Sequence, residues 1–170
     1  NGLKYPVITT VMSNLGLEKY LLKELKINLK RSLVGDINVI QEMQKYGSIL
    51  GGEQSGHIIL SEYSKTGDGI LAALKVTEII TKLKKPCSVI FNLYKNFPQI
   101  KIDIPYKKIS NSTKTYIRKI NKLKINDKNN RFLIRISGTE PLIRLLVEGK
   151  ELQSVQNQAK ILEKDIRSNL

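Results

Sequence analysis

Gly51-Gly52-Glu53-Gln54-Ser55-Gly56-His57 packs three glycines around a carboxylate, an amide, a hydroxyl and the only histidine of the 170-residue chain. Two glycines precede the polar residues and one interrupts them, so the backbone can turn tightly and aim several side chains at one small polar ligand. Ser48-Ile49-Leu50 lies before the stretch and Ile58-Ile59-Leu60 after it. Short apolar runs on either side of a polar, glycine-rich tip predict two strand ends that hold a binding loop.

Upstream, Tyr5 to Asn14 carries a β-branched run that ends in Ser13-Asn14 and Gly16, which predicts a buried strand and then a turn. Leu17, Tyr20, Leu21 and Leu25 recur at helical spacing, and a short strand is expected from Ile27 to Leu33. Val39, Ile40, Met43 and Tyr46 form the apolar face of a second helix, with Asp36 as its expected N-cap and Gly47 as its left-handed C-terminal residue. Downstream of the loop, Ser64-Lys65-Thr66-Gly67-Asp68-Gly69 leads into an apolar helix from Ile70 to Leu83, ended by Lys84-Lys85-Pro86. Thr66 or Asp68 is suited to cap that helix, to touch a ligand, or both. Ser88 to Lys95 is a short amphipathic piece, and Asn96-Phe97-Pro98 marks a domain boundary.

The rhythm changes after the boundary. Ile100, Ile102 and Ile104 alternate with Lys101 and Asp103, as in a half-buried strand. A helix is expected from Ser112 to Leu123, then a polar turn from Asn126 to Asn130. Phe132 to Ile136 and Leu142 to Val147 read as a hairpin, and Leu152 to Ser168 as a helix with Val155, Ala159, Leu162 and Ile166 on one face. Residues 98–170 therefore predict a small α+β domain, with helices covering one side of an antiparallel sheet.

With 41% hydrophobic and 26% charged residues, the chain has the composition of a folded protein. No apolar run approaches the roughly 20 residues of a membrane-spanning helix, and the start has no secretory-signal pattern. These features predict a cytoplasmic protein. The single cysteine, Cys87, excludes an internal disulfide and a cysteine-cluster metal site, and is expected to pack in the interior.

The net charge of +14 raises the question of an anionic partner. Residues 1–97 carry 13 basic and 8 acidic side chains, and residues 98–170 carry 16 and 7, so the excess is spread along the chain. No tight basic run is interleaved with aromatics as a nucleic-acid stacking groove requires. A lysine-biased surface accounts for the charge, and a field that attracts a phosphorylated substrate is the sharper reading. A detached anion- or nucleic-acid-binding module is the competing class, and it predicts affinity that falls steeply with salt.

Arg135-Ile136-Ser137-Gly138-Thr139-Glu140-Pro141-Leu142-Ile143-Arg144 is the second stretch that carries chemistry. Two arginines can meet a dianion with paired N–H donors, Ser137 and Thr139 offer hydroxyls, and Gly138 lets backbone N–H groups turn towards an anion as a nest. The plainer reading is an ordinary hairpin turn whose arginines pair with Glu140 and Glu148.

Taken in order, Gly52 to His57, Thr66-Gly67-Asp68-Gly69 and Arg135 to Pro141 resemble motifs of the α-D-phosphohexomutase superfamily. Val11-Met12-Ser13-Asn14-Leu15-Gly16-Leu17 and Val34-Gly35-Asp36 resemble it too, and the motifs keep its order and spacing over essentially the whole chain. Gln54 points to the branch that acts on glucosamine phosphates, because relatives acting on mannose or glucose phosphates tend to carry other residues there. That branch usually has Arg-Tyr where this chain has Ile37-Asn38, which leaves the role of the Val34–Val39 loop open.

The resemblance implies the third and fourth of four domains. Most of a mixed-sheet α/β domain (residues 1–97, its start missing) would bind the sugar, and the α+β domain (98–170) would bind phosphate. It further implies that Glu53 and Ser55 bind sugar hydroxyls with His57 near the reacting end as an accessory, and that Arg135, Ser137, Gly138, Thr139 and Arg144 hold the phosphate not being transferred.

The implied reaction interconverts glucosamine-6-phosphate and glucosamine-1-phosphate through a phosphoserine and a bisphosphate intermediate, for amino-sugar nucleotide and cell-wall precursor synthesis. The phosphoserine and the Mg2+-binding aspartates belong to the first two domains, so the resemblance places neither a catalytic nucleophile nor a metal ligand in this chain. The missing N-terminal half is then the expected partner, with a homodimer for the complete enzyme. A mannose- or glucose-phosphate mutase of the same superfamily is the alternative. The absence of an initiating methionine at Asn1 leads to the expectation of upstream sequence.

Overall fold

In the computed structural model, which describes residues 4–122 and 130–170, the β-branched run near the start forms β1 (Val7–Thr10). Asn14 then caps α1 (Leu15–Glu24), accepting a hydrogen bond from the Gly16 N–H at 2.7 Å. The chain continues through β2 (Leu29–Ser32), α2 (Asp36–Tyr46), β3 (Leu50–Gly52) and β4 (Ile58–Leu60) to α3 (Gly69–Leu83) and the single turn α4 (Cys87–Ile90). Two compact units result, Asn1–Asn96 and Phe97–Leu170.

The first unit is built on a four-stranded mixed sheet of order β2-β1-β3-β4. β1 pairs parallel with both β2 and β3, and helical crossovers make those parallel connections. β3 and β4 are antiparallel. Ile8, Gly51 and Ile59 lie in register across the sheet, and Ile8 and Ile59 pack with Val39 and Met43 of α2. The alternate residues Val7 and Leu29 join Leu21 and Ile27 beside α1.

A Cβ at Gly51 would run into Met43 Sδ and lie 2.9 Å from Val39 Cγ1, so a larger residue would force these side chains of α2 to repack. That close approach draws α2 onto the strand that leads into the Glu53 loop.

Local chemistry ends these helices in partly unexpected ways. Gly47 does take the left-handed conformation after α2, with φ +62°. The N-cap of α2, however, is Gly35 and not Asp36. Asp36 is already helical, and its carboxylate accepts from the adjacent Ile37 N–H. Asp68 caps α3, accepting from the Leu71 N–H at 2.9 Å. α3 is apolar along most of its length yet buries no residue, with Ile70 and Leu74 exposed. Cys87, expected inside, is exposed, since the one-turn α4 buries Ile90 instead.

The second unit runs β5 (Gln99–Pro105), α5 (Asn111–Lys122), β6 (Asn130–Ile136), β7 (Leu142–Gly149) and α6 (Leu152–Ser168). The expected turn residues 126–129 and the helix end at Leu123 lie outside the described residues. β7 is the central strand of an antiparallel sheet of order β5-β7-β6. Ile104, Ile134, Ile143, Leu145 and Val147 pack against Ile117 of α5 and against Val155, Ala159, Leu162 and Ile166 of α6.

At the outer edge of β6, the Asn121 side chain donates to the Ile134 carbonyl and accepts from its N–H. It stands in for a neighbouring strand.

The opposite face of β7 holds an ion pair between strands. Glu148 is fully buried and lies directly across from Gln99 and Arg131. It accepts from Gln99 Nε2 and Arg131 Nε, each at 2.5 Å. Burying a carboxylate is costly unless it is paired and hydrogen-bonded, and both conditions are met.

Candidate functional site

The first cluster sits at the tip of the β3–β4 hairpin. The last strand pair is Gly52 with Ile58, after which the Glu53 N–H donates to the His57 carbonyl at 2.9 Å and the Gly56 N–H to the Glu53 carbonyl at 3.0 Å. Gly56 takes φ +103°, a conformation that favours glycine. Gly52 is required for a different reason, since a Cβ there would lie 2.9 Å from the His57 carbonyl oxygen. The two glycines fold five residues into a narrow loop.

That loop brings Glu53, Ser55 and His57 together. Ser55 Oγ donates to Glu53 Oε2 at 3.3 Å, and His57 Nδ1 lies 3.1 Å from Ser55 Oγ and 3.4 Å from Glu53 Oε2. A carboxylate only accepts, so in this arrangement the imidazole proton belongs on Nδ1 and, in a neutral ring, the lone pair on Nε2. The side chain of Glu53 is only 8% exposed, while that of His57 is 57% exposed. The Gly35 N–H reaches across from the start of α2 to donate to Glu53 Oε1 at 2.8 Å. Sequence reading missed this contact, for nothing local links residues eighteen positions apart. Gln54 points into solvent. Of the Thr66-Gly67-Asp68-Gly69 motif, Asp68 is engaged as a helix cap, and the Thr66 N–H donates to Ser64 Oγ at 3.3 Å.

The second cluster is the β6–β7 hairpin end. Arg135 and Arg144 are directly opposite in the ladder, on the face away from Ile136 and Ile143. Like charges placed so are destabilising by themselves. Arg144 is offset by Glu140, with which it forms a salt bridge, and by Asp103 at 3.9 Å. Glu148, the other acid that the plainer reading assigned to these arginines, is held instead by Arg131.

The loop is closed by the Ser137 N–H to the Leu142 carbonyl at 2.8 Å, and Ser137 Oγ accepts from the Glu140 N–H at 3.3 Å. Ser137 is nearly buried, whereas Gly138, Thr139 and Glu140 are exposed. A Cβ at Gly138 would meet nothing within 4 Å, which leaves that side of the loop open.

Among the described residues, no three His, Cys, Asp or Glu side chains are grouped as metal ligands, and no helix is long and apolar enough to cross a membrane.

Comparison with known proteins bears on what these clusters belong to. The profile described as phosphoglucomutase/phosphomannomutase, alpha/beta/alpha domain III, matches residues 1–97, and the profile for the C-terminal domain matches residues 73–164. The chain belongs to the phosphoglucomutase/phosphomannomutase family.

Within the family, the chain is 45% identical to a phosphoglucosamine mutase of Finegoldia magna over 90% of its own length, and 42% identical to that of Fusobacterium nucleatum over 94%. It spans 35% and 37% of the length of those relatives. The fold is also that of the Aspergillus fumigatus N-acetylphosphoglucosamine mutase solved with GlcNAc-6P and magnesium, with a TM-score of 0.74 at 17% identity. That match covers 98% of this chain and 39% of the fungal one. The mixed α/β architecture of this family member is thus shared with solved phosphohexomutases.

Proposed function

We propose that this chain supplies the sugar- and phosphate-recognition portion of a phosphoglucosamine mutase that interconverts glucosamine-6-phosphate and glucosamine-1-phosphate. The observation that carries the proposal is the convergence of Glu53, Ser55 and His57 within 3.1–3.4 Å at the tip of one hairpin. A carboxylate flanked by a hydroxyl and an imidazole pairs with neighbouring sugar hydroxyls, and a mismatched sugar leaves polar groups unpaired. The identity to phosphoglucosamine mutases, 42–45% for the two relatives above, supports glucosamine as the sugar.

Arg135 and Arg144, with Ser137, Gly138 and Thr139, form the phosphate clamp. An anion between the opposed guanidiniums would offset their repulsion and accept paired N–H donors. Clamping the phosphate that stays in place supplies positioning, on which phosphoryl transfer chiefly depends. In the proposed cycle a phosphoserine outside this chain gives its phosphoryl group to the sugar. The resulting bisphosphate then returns its other phosphoryl group to the serine. Mg2+ belongs to that same outside portion and neutralises developing phosphate charge when bound. The complete enzyme would act in the cytoplasm, in amino-sugar supply for the cell wall.

The test is a mutase assay on glucosamine-6-phosphate with this chain alone, and then mixed with a folded, phosphorylated N-terminal portion of the Finegoldia magna relative. Turnover is expected only in the mixture, and it should be lost with Glu53→Ala. Turnover by the chain alone, or a mixture indifferent to Glu53→Ala, would overturn the assignment.

A further inference from the structure

Resting on the reading of Glu53 as the sugar-binding carboxylate, we propose that Gly35, one residue before α2, is the positioning residue of that loop. Its N–H holds Glu53 Oε1, so that Oε2 is the oxygen presented with Ser55 and His57. The two oxygens of the carboxylate have different partners. Oε1 accepts from the Gly35 N–H at 2.8 Å, and both loop contacts, from Ser55 and His57, go to Oε2. The carboxylate is consequently drawn inwards, 8% exposed, although residues 54–58 around it are exposed. A side chain on a flexible loop tip would otherwise sample several rotamers and lose that freedom on binding; anchoring one oxygen removes most of this cost beforehand.

The anchor is itself built to hold its direction. Gly35 has φ +116° and ψ 134°, a region that L side chains rarely adopt, and a Cβ would sit 3.3 Å from Asn38 Nδ2. Any side chain at position 35 therefore tends to swing the peptide plane and turn the N–H away from Glu53. Asn38 clamps the same turn from the other side, with its Nδ2 donating to the Val34 carbonyl at 2.8 Å and its N–H to the Gly35 carbonyl at 3.0 Å. The donor also lies at the N-terminus of the eleven-residue α2, where the helix dipole favours a carboxylate. The Val34–Val39 loop thus acquires a role through its backbone, whatever the side chains at 37 and 38 do for a ligand.

Two measurements on the 170-residue chain test this separately from the sugar reading. The first is amide hydrogen exchange at Gly35 by NMR in the wild type and in Glu53→Gln. The isosteric change swaps a charged acceptor for a neutral one, so faster exchange at Gly35 is expected, with Ile8 and Ile59 signals unchanged. Equal exchange in the two proteins overturns the proposal, even if sugar phosphates bind.

The second is the ratio of affinities for glucosamine-6-phosphate and inorganic phosphate, measured for Gly35→Ala and for Asn38→Ala. Asn38→Ala loosens the turn without touching Gly35, and covers the case in which Gly35→Ala does not fold. A fall on the order of tenfold in the ratio, with phosphate affinity unchanged, is expected from loss of one hydrogen bond to a charged group. An unchanged ratio overturns the positioning role. Should wild-type protein bind glucosamine-6-phosphate no better than phosphate, the sugar reading fails, and the exchange experiment alone decides the contact.

Discussion

Replacing Gly52 by alanine tests how the Glu53 loop is held. The new Cβ would lie 2.9 Å from the His57 carbonyl oxygen, a backbone atom that cannot move aside as a side chain can. That same carbonyl accepts the Glu53 N–H at 2.9 Å, so relieving the contact weakens the bond that closes the loop. Overpacking of this kind costs about 1–3 kcal/mol, and the hydrogen bond about 1 kcal/mol net. Alanine regains about 0.5–1 kcal/mol over glycine within a strand. The balance is a loss of about 2 kcal/mol, or a fall in Tm on the order of 10 °C for a unit of this size.

The assay is thermal unfolding followed by NMR, reading the Ile59 methyl groups for the first unit and those of Ile143 for the second. The Ile59 transition should move and the Ile143 transition should stay. If Gly52→Ala leaves the Ile59 transition within about 1 °C of wild type, the loop tolerates a Cβ and the account of its closure is wrong.

Three further outcomes follow from the second unit. Arg135→Gln removes one of two opposed guanidiniums, so in phosphate-free buffer the chain should gain stability by up to about 1 kcal/mol while losing affinity for inorganic phosphate; unchanged phosphate affinity by calorimetric titration, or a loss of stability on denaturation, would contradict the clamp. Arg131→Ala leaves Glu148 buried without its guanidinium and should cost about 3 kcal/mol in urea unfolding, whereas an effect below about 1 kcal/mol would mean that the pair is dispensable.

Burial first, and then the hydrogen bond to Asp165, raise the Tyr116 hydroxyl above the ordinary phenol value. The folded state thus keeps a proton that the unfolded chain loses above about pH 10. Stability from this group is complete below that pH and falls as pH rises past it. Tyr116→Phe should flatten the alkaline limb of a stability-against-pH curve, and parallel limbs in the two proteins would remove Tyr116 as its source.

Much of the chain could be read locally, and the reasons are local. The α6 stripe of Val155, Ala159, Leu162 and Ile166 follows from helical period alone, and all four are buried. The alternation of Ile100, Ile102 and Ile104 foretold β5, and the glycines around Glu53 foretold a hairpin tip, because φ preference and side-chain period act within a few residues. The pairing of Ser55 and His57 with Glu53 was within reach for the same reason, as they are two and four residues away.

What the tertiary structure decided depends on strand register and helix placement, which no short window contains. Gly35 meets Glu53 only because parallel pairing brings the start of α2 beside the end of β3. Glu148 pairs with Arg131 and not with Arg135 or Arg144, because the register sets residue 131 directly across from 148. The α2 cap fell to Gly35 rather than Asp36, since the helix begins one residue earlier than side-chain preference suggests and the turn before it needs a positive φ. Cys87 is exposed because Ile90 takes the buried side of a one-turn helix. Local chemistry determined which residues could form a site; long-range packing determined which atoms of those residues are engaged and which are presented.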